Sequence, residues 1–355
     1  MIIVRDTSKK KSKEEDNKDK RDKEKKESKL SKIINDPVIS STAAGATLLY
    51  HGPKLSKMLI KDGESNFIND LDKGRGNDDK VTEKLKKKAK DIGIKLAYDK
   101  DFDNSAYLGG TKITGKMFKK LNAKPKVKEY LDKNTGGDIY DLIGDSLGMS
   151  RENAEEYGND TVVMGLGSNN SAVLAHELGH AAMSKKGRSR DLIGKAAHTP
   201  VGLILNQPVK LTSHHNKKIR NTASAGFLGA GIIHGIKASK KEESGDIKGA
   251  NKEKRKGLIR SSIMAAPGLI QEAAASRKGL KYLKEAGASK ETLKDSRKLL
   301  RHAYATYIGA SIKPIALEGA GTGLGYAGHK LVTRLKKKKE QPKKEQEDKN
   351  KSNSD

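Results

Sequence analysis

Residues 161–187 read TVVMGLGSNNSAVLAHELGHAAMSKKG, and the rest of the chain is best read outward from them. Thr161-Val162-Val163-Met164-Gly165 is a short β-branched run of the kind that forms a strand. Gly167-Ser168-Asn169-Asn170-Ser171 is turn-forming, and Asn170 or Ser171 is placed to cap a following helix. That helix, AVLAHELGHAAMSKKG, is apolar and rich in small residues, and Gly187 stops it. Strand, turn and helix together predict a small α+β portion.

His176, Glu177 and His180 lie within this helix. Residues four apart project from one helix face, so the imidazoles at 176 and 180 can converge on a single ion. Glu177 is offset from both and can instead reach a water on that ion and act as general base. The small residues Ala175, Gly179, Ala181 and Ala182 would let a second element approach closely. The plainer alternative is a helix whose two histidines are merely hydrogen-bonded.

The chain has no cysteine, so disulfides and thiolate metal sites are excluded and any metal must sit on His, Asp or Glu. A catalytic zinc keeps three protein ligands and one open position, so a third ligand is needed. A metzincin would continue with Gly and His, but Met183 and Lys186 occupy those places. The remaining candidates are His198, His214, His215, Asp191, His234 and Glu272. Glu272 stands out because an acidic group amid Leu269, Ile270, Ala273, Ala274 and Ala275 is expensive to bury unless paired or metal-bound. The alternative is an exposed helix carboxylate paired with Arg277 or Lys278. His214 and His215 lie in the basic stretch SHHNKKIR and read as exposed loop histidines.

Around this centre the chain divides into five parts. Residues 1–29 and 334–355 carry too little apolar surface to offset the entropy of ordering them, so both are expected to be disordered basic tails. Residues 30–60 read as an apolar helical hairpin punctuated by Pro37 and the His51–Gly52–Pro53 turn, and residues 61–80 as a polar, glycine-rich linker. The domain proper is 81–333. Its α+β part, 81–187, opens with an amphipathic helix over 81–91 and a strand from Ile94 to Tyr98. The mixed stretch 100–160 holds the pairs Gly109–Gly110 and Gly136–Gly137 and a polar helix near 149–157. Its second part, 188–333, is helical, with basic loops at 237–256 and a turn at Gly287. The expected fold is mostly α with a small α+β portion, a zincin-like HExxH helix preceding a helical C-terminal half. No internal repeat is visible.

The run AVLAHELGHAA, followed about ninety residues later by IQEAAASRKGLKYLKEAGASKETLKDSRKLLRHAYATYIGAS, resembles the bacterial neutral zinc metallopeptidases that are membrane proteins. The family's Glu-x-Asp-Ala-Ser-Arg-Arg-Ala segment is matched by Glu272-Ala273-Ala274-Ala275-Ser276-Arg277-Lys278-Gly279. Its Leu-Thr-Tyr-Val-Ala-Ala helix end is matched by Ala305-Thr306-Tyr307-Ile308-Gly309-Ala310. The similarity covers roughly 81–315 and is strongest at 172–183 and 268–310. It implies a gluzincin-type zinc site with Glu272 as third ligand. Ser276 and Arg277, one turn beyond that ligand, are candidate supporting residues for such a site, the plainer alternative being helix-surface packing. The family's Asp two residues after the ligand is Ala274 here, so any hydrogen bond it gives to a zinc-binding His must come from elsewhere. The intervening helices are also shorter and more charged than in the membrane-spanning relatives.

The net charge is +28, each tail holds only +4, and about +20 remains in the middle of the chain. Such an excess favours an anionic partner, a membrane surface or a nucleic acid. Aromatic residues make up only 4% with no aromatic–basic interleaving, which counts against nucleic acid. The start MIIVRDTSKKK lacks a signal-peptide pattern, so a cytoplasmic location is expected. The uncharged stretches 37–53 and 221–236 fall short of the ~18–20 residues a bilayer span needs, and suit membrane association or buried helices alike. The expected function is a zinc-dependent endopeptidase acting on a peptide or protein. The alternative is a basic membrane-surface or nucleic-acid-binding protein whose metal site is structural or degenerate.

Overall fold

The computed structural model describes residues 36–99, 105–108, 125, 128–129, 160–165, 169–184, 208–213 and 217–352. Its elements are α1 (Pro37–Asp72), α2 (Asp79–Asp91), β1 (Lys95–Tyr98), β2 (Ala106–Leu108), β3 (Thr161–Met164), α3 (Ser171–Ser184), α4 (Lys217–Glu243), α5 (Ile247–Glu285) and α6 (Lys290–Ser352). The described residues are mostly helical, with one small sheet of order β1-β3-β2 among them. β1 pairs parallel with β3, Leu96 opposite Val162, and β2 pairs antiparallel with it, Tyr107 opposite Val162.

The core around the sheet follows from the sequence pattern. α2 turns Val81, Leu85 and Ala89 inward, β3 is buried along its whole length, and α3 adds Ala172, Leu174, Ala175 and Leu178. Tyr282 and Leu283 of α5 and Leu299 of α6 close this core. Asp78 caps α2 by accepting from the Val81 N–H at 3.1 Å, and its own N–H donates to Ser171 Oγ at 2.7 Å, which ties α2 to the start of α3.

The expected hairpin over 30–60 and linker over 61–80 are corrected within the described residues. α1 is one helix running through Pro53 as far as Asp72, and only the Gly74 and Gly76 turn separates it from α2. A proline inside a helix costs roughly 3 kcal/mol. Here α1 lies antiparallel along α6 so closely that a Cβ at Gly52 would come 2.1 Å from the Ala316 Cβ. The packing along that seam outweighs the lost hydrogen bond. The basic loop expected over 237–256 is corrected too, since only Ser244-Gly245-Asp246 is a turn and the flanks belong to α4 and α5. Its charges are held on helices by ion pairs, Glu242 with Lys254 at 3.4 Å and with Lys330 at 3.1 Å.

α6 continues through the lysine-rich segment that begins at Arg334, Pro342 included, as far as Ser352. Residues 1–29, the pairs Gly109–Gly110 and Gly136–Gly137, the stretch 149–157 and Gly187 lie outside the described residues. Among the described residues, no helix is long and apolar enough to cross a membrane.

Candidate metal centre

Asn170 is the residue that caps α3, its Oδ1 accepting from the N–H groups of Ala172 at 2.9 Å and Val173 at 3.3 Å. The helix is buried over most of its length, with His176 and Glu177 inside it. Across it lies α5, antiparallel, and the contact is between small residues in reciprocal pairs. A Cβ on Gly179 would fall 2.2 Å from the Ala275 carbonyl oxygen, and one on Gly279 would fall 2.7 Å from that of Ala175. The tightest approach is therefore at Ala175 and Gly179.

That approach brings Glu272 to the two histidines. Glu272 Oε2 lies 3.2 Å from His176 Nε2 and 3.4 Å from His180 Nε2, and the two Nε2 atoms are 3.2 Å apart. These three atoms form a nearly equilateral triangle. A tetrahedron with edges of about 3.3 Å has its centre about 2.0 Å from each vertex, the length of a zinc–nitrogen or zinc–carboxylate bond. His176, His180 and Glu272 are thus a group that could hold a metal ion.

The remaining sequence candidates sort as follows. His234 is on α4 with Nδ1 3.1 Å from Glu253 Oε2, in a separate ion-pair cluster. Asp191, His198, His214 and His215 lie outside the described residues. Ser276 lies against the cluster, its Oγ 3.2 Å from His176 Nδ1. When Nδ1 carries the proton and the serine oxygen accepts it, Nε2 is left with the lone pair that a cation needs. This contact stands where Ala274 offers none. Arg277 is exposed on α5.

Charge and burial shape each group. Burial raises the pKa of Glu177, Glu272 adds to the rise, and the two imidazoles oppose it. The backbone of Tyr107 on β2 also works against the rise. Burial also works against an ionised Glu272, but His180 and His176 outweigh it and hold that carboxyl well below its usual range. For His180, burial opposes protonation, yet Glu272 and then Glu177 carry its pKa above the ordinary value.

Two residues at the cluster carried no signal in the sequence. Tyr307 comes from α6 and lines the cavity beside His176 and Glu177, and the charge of Glu272, with burial, raises its pKa. Lys210 is near enough to interact with Glu272 and His180, and burial lowers its pKa. In front of His176 and Glu177 is a cavity of about 180 Å³ walled by Phe67, Val173, Leu300 and Tyr307. A buried carboxylate, a cavity beside it and a three-atom cation cradle can together support hydrolysis of a bound carbonyl compound.

Comparison with family models, with curated proteins and with solved structures finds no match to this chain.

Proposed function

We propose that this protein is a zinc-dependent endopeptidase with a zincin-like, gluzincin-type site, in keeping with the family resemblance of its sequence. The observation that carries the reading is the convergence of His176 Nε2, His180 Nε2 and Glu272 Oε2 beside Glu177 and an open cavity. Two imidazole nitrogens and a carboxylate oxygen are a donor set suited to catalytic zinc. Zinc held there supplies a Lewis acid that makes a water reactive near neutral pH. Glu177 takes that water's proton as the oxygen–carbon bond forms at the peptide carbonyl. It then returns the proton to the amide nitrogen as the carbon–nitrogen bond breaks, giving a carboxyl product and an amine. Phe67, Val173 and Leu300 offer an apolar wall for a substrate side chain.

Metal analysis of the purified chain should give about one zinc per molecule. Glu177→Gln should keep that zinc and the fold while peptide hydrolysis falls by at least about 100-fold, because an amide accepts hydrogen bonds but takes no proton. Wild-type turnover in that variant would end the general-base role, and a zinc-free parent chain would end the metallopeptidase reading.

A second observation bears on where the protein acts. Leu49, Leu55 and Met58 on α1 and Ile259 and Ile263 on α5 are exposed, and lysines such as Lys54 and Lys57 stand among them. Aliphatic side chains interleaved with cations fit an anionic membrane surface, which the protein would touch without crossing.

A further inference from the structure

We infer that the cavity in front of His176 and Glu177 selects a lysine or arginine side chain of the substrate, with Glu64 as the residue that sets this specificity; this rests on the endopeptidase reading above. The cavity measures about 180 Å³, less than the ~300–1,000 Å³ of pockets that enclose a whole small ligand, and so suits a single side chain. Its walls are apolar at Phe67, Val173, Leu300 and Ala303, and it has two carboxylates, Glu177 and Glu64. Glu177 is buried at the metal end, while Glu64 on α1 is exposed and stands at the solvent end. Two hydroxyls of the lining are already engaged. Thr306 Oγ1 donates to the Ala303 carbonyl at 2.7 Å, and Ser105 Oγ accepts from the Gly165 N–H at 3.2 Å. Among the described residues Glu64 forms no ion pair, so its charge is open to a ligand.

Lysine and arginine combine what such a lining asks for. Each carries a stem of three or four methylenes that covers apolar surface and a cationic head that stays near water. The stem would lie on Phe67 and Leu300 and the head would meet Glu64. Glu64 is also held in place by the packing beside it. A Cβ at Gly63 would come 2.8 Å from the Thr306 methyl and 2.9 Å from the His302 carbonyl oxygen, so α1 is seated on α6 at the preceding residue. Phe67 follows Glu64 by three positions and shares its helix face. The molecule as a whole would select the opposite charge, because a net +28 draws acidic peptides. A preference for a basic side chain at this position therefore has to come from a local carboxylate.

The experiment compares the full-length, zinc-loaded parent with Glu64→Gln and Glu64→Lys on peptides carrying lysine, norleucine or glutamate at either residue flanking the scissile bond. Norleucine keeps lysine's stem and lacks its charge. At one of the two positions the lysine-to-norleucine ratio of kcat/KM should fall about 3- to 10-fold in Glu64→Gln, and Glu64→Lys should prefer glutamate to lysine. Salt should lower the parent's ratio. Binding of the same peptides to the Glu177→Gln chain, with and without Glu64→Gln, reads the same preference without turnover, and circular dichroism checks the fold. Ratios equal in the parent and Glu64→Gln, in cleavage and in binding, would overturn the assignment. So would a lysine preference that survives Glu64→Lys. A parent that cleaves none of the peptides would overturn the endopeptidase reading itself, an outcome distinct from either.

Discussion

His180 and Glu272 make the metal-free protein sensitive to pH in a direction that can be worked out. Burial opposes charge on His180, but Glu272 and Glu177 raise its pKa above the ordinary 6.5. The stability it contributes is therefore full below about pH 6.5 and is lost as pH rises through the folded-state value. Glu272 is displaced the other way from 4.5, because the imidazoles outweigh its burial. Its contribution is present above about pH 4.5 and is lost as pH falls. The cluster thus favours the metal-free fold most between those two values. A bound cation would replace the imidazolium charge opposite Glu272 and remove the alkaline loss. Melting curves of chelator-treated and zinc-loaded protein, taken from about pH 4 to about pH 9, should diverge increasingly above pH 6.5. Parallel curves would mean that zinc does not replace the proton at His180.

The pairing of α3 with α5 is the element on which the centre depends. Gly179→Ala puts a methyl where the Ala275 carbonyl oxygen stands 2.2 Å away, and backbone cannot yield as a side chain tip would. Alanine is the better helix former by up to about 1 kcal/mol, so a purely local effect would stabilise. The expected outcome is instead a loss of about 1–3 kcal/mol from overpacking, with weaker zinc binding as Glu272 is pushed from the histidines. Chemical denaturation of the variant with and without zinc checks both. Much at this scale was legible beforehand. The strand at 161–164, a cap at Asn170 or Ser171, the i, i+4 histidines and the turn at Gly287, whose φ is 87°, all follow from local residue chemistry, and the structure puts the cap on Asn170. The His51–Gly52–Pro53 stretch misled because it has the local look of a turn, while its conformation is decided by a helix more than 250 residues further on. The lysine- and glutamate-rich stretch 237–256 misled for a similar reason, since its charges are met by residues on neighbouring helices. Glu272 was half legible, as a carboxylate in an apolar context. Tyr307 was not, because a tyrosine in an ordinary helix carries no mark of the cavity it will line.

Over the whole molecule, charge and exposed aliphatic surface point to the same kind of partner. About +20 lies between the two lysine-rich ends, and the outward faces of α1 and α5 carry Leu55, Met58, Ile259 and Ile263. At low salt the protein should sediment with vesicles containing phosphatidylserine and stay in solution with neutral ones. Raising ionic strength from 0.1 M to about 1 M shortens the screening length from about 10 Å to about 3 Å and should release much of it. Equal behaviour with both vesicle types would remove the membrane surface as a partner. The spacing of the centre along the chain has a further consequence, for the order in which the molecule is made. His176 and Glu272 stand 96 residues apart, and Tyr307 follows later still. A ribosome that has delivered the HExxH helix has released a base and two imidazoles, but no carboxylate to complete the cradle. Under the peptidase reading proposed above, the growing polypeptide stays unarmed through most of its synthesis, and its cutting edge is assembled only when α5 folds back over what emerged before it.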